Sequence, residues 1–140
     1  MSTTPKDHYN TLLETFRAGG AKIVHRKLKK AGGLYCHGTD TITIASEFKE
    51  TLFGCNLLCH EISHREQYQK NLFRGFFMLP AKKMEFDPMI FDLILRAEMD
   101  AVSRADKLLK FFGIPYSPVE LADKGYKESK EFWRNFYFLK

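Results

Sequence analysis

Five consecutive residues restrict this chain more than any bulk property does: His60-Glu61-Ile62-Ser63-His64, an H-E-x-x-H. The pattern asks for a helix beneath it, because side chains four apart share one helical face and can bring two imidazoles to a common point. From Ser46 to Lys70 there is no proline and a single glycine, Gly54. Leu52, Cys55, Cys59 and Ile62 recur there at three- and four-residue spacing, as a core-facing stripe. His60 and His64 lie beside that stripe, on a face that continues to Asn56 and Gln67. Two imidazoles so placed fit one tetrahedral cation, with zinc expected, and Glu61 turns toward a bound water whose pKa the metal lowers to about 7. The expected chemistry is amide hydrolysis, with Glu61 as the base.

Two donors do not complete such a cage. Asp87-Pro88 reads as an N-cap followed by the first helical residue, opening a helix that runs to about Phe111 and stops at Gly113, with Pro115 beyond. Its apolar stripe is Ile90, Ile94, Ala97, Ala101, Ala105 and Leu108, and Glu98 intrudes into it beside Ala97. A buried carboxylate is costly unless it is paired or bound to metal, so Glu98 is the expected third ligand. A buried ion pair is the other account of Glu98. His25, His37 and Glu85 compete for the third position, His37 foremost because it ends a strand near the start of the motif-bearing helix. Asp100 lies between Arg96 and Arg104 at four-residue spacing, which alone describes a solvated salt-bridge row, and Asp92 pairs with Arg96 in the same way.

The remaining segments predict an α+β fold: a small antiparallel sheet packed on the motif-bearing helix and two or three further helices. Tyr9, Leu12, Leu13 and Phe16 fall at helical spacing before a stop at Gly19-Gly20. Ala21 to His25 reads as a strand. Gly33 to His37 and Thr41 to Ile44 read as an antiparallel pair across Gly38-Thr39-Asp40. The second of the pair, just upstream of the motif helix, is expected at a sheet edge, where it could bind an extended peptide by strand addition. Ser46 is the expected N-cap of that helix, and Asn71 to Phe86 a loop partly buried by Phe73, Phe76, Phe77 and Leu79. After Pro118-Val119-Glu120-Leu121, the aromatics Tyr126, Phe132, Trp133, Phe136 and Tyr137 mark a final helix whose stripe closes the core or, alternatively, docks a partner.

A chain of 140 residues suits one domain, 1–140, with a core of its own. No apolar run approaches the roughly 20 residues of a membrane span, and the N-terminus lacks a signal's apolar core, so the expected location is the cytoplasm. Three cysteines point to free thiols. Cys55 and Cys59 fit the core stripe better than a metal site shared with Cys36. The net charge of +5 is concentrated in His25-Arg26-Lys27-Leu28-Lys29-Lys30. No aromatics interleave with that run and no nucleic-acid-binding motif accompanies it, so a nucleic-acid partner rests on charge alone and a solvated loop is favoured.

With His60-Glu61-Ile62-Ser63-His64, Gln67 and then Glu98, Asp100 and Ala101 in order, the chain resembles minimal gluzincin metallopeptidases that read H-E-x-x-H-x-x-Q followed some thirty residues later by E-x-D-A. These include uncharacterised bacterial metallopeptidases, with ImmA/IrrE-like peptidases more distant. The resemblance covers roughly Gly33 to Leu109. It implies that His60, His64 and Glu98 bind Zn2+, that Glu61 is the general base, and that the substrate is a protein or peptide. It departs from thermolysin-like enzymes, which carry an Asp four residues after the Glu where this chain has Val102. Gln67 or Asp100 would then supply the acceptors that orient zinc-bound imidazoles. An oxyanion-stabilising group is not assigned by the motifs, and Tyr35, Tyr68, Tyr116 and Tyr126 are eligible by type. The competing class is a zincin-like module that binds a partner without catalysis.

Overall fold

The computed structural model describes residues 3–29, 31–118 and 126–139, together with the backbone but not the side chains of 126–129. It is an α+β fold of five helices and a three-stranded mixed sheet among the described residues. Helix α1, Pro5–Ala18, opens with a capping box in which Thr4 and Asp7 satisfy each other's backbone amides. It buries Tyr9, Leu12, Leu13 and Phe16. Strands β1 (Lys22–Arg26), β2 (Gly33–Cys36) and β3 (Thr41–Ala45) follow. Helix α2 spans Leu52–Gln69, α3 Arg74–Phe77, α4 Pro88–Phe111 and α5 Tyr126–Tyr137.

The sheet order is β1-β3-β2, with β2 antiparallel and β1 parallel to β3. The sheet is therefore mixed rather than wholly antiparallel, and the strand preceding α2 is its centre, not an edge. Burial explains the order. Ile42 and Ile44 of β3 are fully buried, whereas Lys22 and Arg26 of β1 and Leu34 and Cys36 of β2 are exposed, as befits short edge strands.

Helix α2 also begins later than Ser46. Ser46–Phe48 forms a 3-10 turn, and Thr51 caps the helix by accepting from the Gly54 amide at 2.9 Å. Gly54 permits this start, because a Cβ there would stand 2.0 Å from the Phe48 carbonyl oxygen. Helix α4 begins at its expected cap, Asp87, which accepts from the Met89 and Ile90 amides. The segment expected as a loop after α2 contains the single-turn helix α3.

One core cluster joins α1, β1, β3, α2 and α4, and includes Cys55 and Cys59, while Cys36 is exposed. Along α4, Ala97, Ala101 and Ala105 are small enough to let α2 approach closely, and Leu109 rather than Leu108 is fully buried. No described helix is long and apolar enough to cross a membrane. Arg26, Lys27 and Lys29 of the basic run are exposed, and Lys30 lies outside the described residues, as do Val119, Glu120 and Leu121.

Candidate metal centre

The motif helix α2 and the Glu98-bearing helix α4 pack along each other, and their facing side chains meet at one point. His60, His64 and Glu98 present ligand atoms that all lie within 4.8 Å of one another, the only such cluster among the described residues. His60 Nε2 is 3.1 Å from His64 Nε2 and 3.6 Å from Glu98 Oε2. In a tetrahedral zinc site with bonds of about 2.0–2.1 Å, ligand atoms stand about 3.3 Å apart, so these separations fit such a cation. The third distance, 2.7 Å from His64 Nε2 to Glu98 Oε1, is that of a hydrogen bond, with a proton on the line where a metal would take both atoms.

Electrostatics agrees with that description. Burial pulls His64 toward neutrality, but the Glu98 charge and hydrogen bond outweigh it and raise the imidazole above its ordinary value. Burial also pushes Glu98 upward, and the two imidazoles more than reverse this, holding the carboxyl below its ordinary range. Glu98 is 2% and His64 5% exposed, so neither charge could stand here alone.

Gln67 sets the direction of His64. Its side-chain Nε2 donates to the Ala97 carbonyl at 2.9 Å and to Asp100 Oδ2 at 2.8 Å. Its oxygen, at 2.9 Å, therefore faces His64 Nδ1, which must carry the hydrogen, leaving Nε2 turned toward His60 and Glu98. Asp100 is thus more than a member of a solvated row. It faces α2, accepts from Arg104 Nε at 2.7 Å as well as from Gln67, and contacts neither imidazole itself. Arg104 also binds Glu66. Arg96 pairs with Asp92 on the exposed side, as the spacing predicts.

Glu61 is 6% exposed, and its carboxyl is raised by burial and by Glu98 while the two imidazoles pull it down. On its other side runs β2: a Cβ on Gly33 would lie 3.1 Å from Glu61 Cγ and 3.3 Å from Oε2. A glycine is what lets the strand pass this closely. The other candidate ligands lie elsewhere. His25 Nε2 is bound to the Tyr9 hydroxyl at 2.7 Å, His37 stacks on Tyr68 at 4.8 Å, and Glu85 is exposed.

A roof of aromatic rings covers the imidazoles. Phe76 stacks on His64 (5.3 Å between centroids, 14° between planes), and Trp133 of α5 lies parallel to His60 (6.4 Å, 12°). Tyr137 stands between them, 6.0 Å from Phe76 and 6.1 Å from Trp133. This tyrosine is absent from the set eligible by sequence. Of those, Tyr35 donates to Asp40, Tyr68 stacks on His37, Tyr116 packs near Phe53, and the Tyr126 side chain lies outside the described residues. No sequence signal distinguishes Tyr137 from the other aromatics of its stripe; only the path of the chain after α4 brings it here.

Compared with known proteins, the chain matches no family model, no curated protein and no solved structure.

Proposed function

We propose that the chain is a zinc-dependent metallopeptidase that hydrolyses peptide bonds. The observation that carries this is the convergence of His60, His64 and Glu98 from two helices, with the Glu61 carboxyl buried beside them. His60, His64 and Glu98 would hold the ion, three protein donors leaving a fourth position open as in catalytic zinc sites. When bound, zinc supplies Lewis acidity toward the scissile carbonyl and makes water acidic enough to attack near neutral pH. Glu61 accepts the proton that water sheds as its oxygen bonds to the carbonyl carbon, and later delivers it to the leaving amine. Desolvation raises its carboxyl above the ordinary carboxylate value, so it holds a proton more readily than an exposed acid. Gln67 keeps the His64 lone pair aimed at the metal position. The outer edge of β2, free of strand partners among the described residues, offers backbone groups to an extended peptide that would run past Glu61.

The deciding comparison is the native chain against Glu61→Gln on a broad peptide library, with zinc measured in both. The variant is expected to keep its zinc and lose turnover by about 10²–10⁴-fold. Cleavage by Glu61→Gln at the native rate removes Glu61 from the mechanism. Equal inactivity of the two chains, both loaded with zinc, leaves a binding module built on the same cage.

A further inference from the structure

Phe77 of α3 stands between the outer strand and the motif helix. Its ring centroid lies 6.4 Å from that of Tyr35 in β2, 6.0 Å from His37 just after it, 6.3 Å from His64 and 5.4 Å from Tyr68, edge-to-face with each. Phe76 beside it covers His64. An extended peptide paired with the β2 edge would send every second side chain onto the face that carries Gly33 and Tyr35, into the volume this ring fills. The chain's own phenylalanine thus occupies the groove proposed for the substrate. The segment that carries it is held mainly by its side chains. The Leu72 amide is bonded to the Gln67 carbonyl at 2.8 Å, and Met84 is paired with Tyr137 and Leu139. Between these two anchors, among the described residues, the backbone hydrogen bonds stay within Phe73–Leu79: Phe76 to Phe73, Met78 to Gly75 and Leu79 to Phe76. Phe73 enters the turn at φ 51°, a left-handed conformation that is costly for a bulky side chain. A cavity of about 370 Å³ lies between α3 and the end of α2, with Tyr68, Leu72, Phe77 and Met78 among its walls, so the turn has room to shift on that flank.

We propose that Phe73–Leu79 is a lid that closes the metal centre in the resting chain and swings between Leu72 and Met84 to admit a peptide along β2. Opening lifts Phe76 from His64, withdraws Phe77 from the groove and lets Phe73 leave its left-handed conformation. His64 and Glu98, 5% and 2% exposed, are then reached from the open form alone, and access is set by the population of that form. The identity of the entering ligand rests on the peptidase function proposed above, whereas the control of access to the cage does not.

The test compares Phe77→Ala with the native chain, both loaded with zinc, by the rate at which excess EDTA strips the metal and by cleavage of a peptide library. Phe77→Leu keeps an apolar plug and serves where alanine fails to fold. Phe112→Ala, which removes a ring packed on Phe16 at the other side of the core, controls for general loosening. Stripping is expected to be at least about tenfold faster from Phe77→Ala than from the native chain, intermediate from Phe77→Leu and unchanged from Phe112→Ala, with kcat/KM rising alongside. Stripping at the native rate in both Phe77 variants, or equally accelerated in Phe112→Ala, overturns the lid. Faster stripping from Phe77→Ala with no cleavage by any of the chains supports the lid and overturns the peptidase function. A native chain that binds no zinc overturns the cage, and the lid with it.

Discussion

Asp40 occupies the turn between β2 and β3 at φ 48°, and its carboxylate accepts from Arg65 Nε of α2 at 3.0 Å and from the Tyr35 hydroxyl at 2.9 Å. These contacts tie the edge strand beside Glu61 to the motif helix. The Arg65 hydrogen bond holds the Asp40 carboxyl below its ordinary value against the opposing effect of burial. A carboxyl depressed in the folded state stabilises above its unfolded pKa, about 3.9, and that contribution disappears as pH falls through the folded value. Asp40→Asn tolerates the same backbone, so it should unfold more easily than the native chain at pH 7 by under about 1 kcal/mol, the Asp40 side chain being 47% exposed. The difference should shrink in denaturant titrations as the pH is lowered through the folded value of Asp40. At this scale much of the candidate site was legible. His60, Glu61 and His64 are set by helical spacing, and Glu98 by being an acid in an apolar stripe. Asp100 was only half legible: spacing reveals its partner Arg104 on the same helix, but the Gln67 amide that reaches it comes from another helix.

Boundaries and pairings were less legible for elements than for residues. Ser46 has the chemistry of a cap, but the chain makes one 3-10 turn first and Thr51 takes the position, because Gly54 must tuck beneath the Phe48 carbonyl. Gly54→Ala would press a methyl onto that oxygen and onto the Tyr9 ring, 3.0 Å from the same position. We expect a loss of about 3 kcal/mol, read by chemical denaturation, as for an overpacked core. The apolar stripe of α2 is only part of what it buries, since Glu61, Ser63, His64 and Gln67 are buried too. Periodicity finds such a helix through its motif more readily than through its hydrophobicity. The parallel pairing of β1 with β3 had no local sign, because the intervening β2 lies on the far side of β3.

Across the whole molecule, the candidate ligands come from two separate helices, α2 and α4, so occupancy of the site and the packing of the fold are thermodynamically linked. Zinc at about one hundred times its Kd should stabilise the native chain by about 2.7 kcal/mol and raise its unfolding midpoint in calorimetry. Glu98→Ala should abolish that rise. A zinc-dependent rise preserved in Glu98→Ala would remove this carboxylate from the cage.

The three thiols differ in a way that has a practical outcome. Burial raises Cys55 to about 11 and Cys59 still higher, whereas Cys36 is exposed and lowered by hydrogen bonding to Thr39. A maleimide dye at neutral pH should therefore attach to Cys36 alone. Because Cys36 ends the outer strand that begins beside Glu61, the label would sit on the edge proposed to receive a peptide and should report its docking with no engineered mutation.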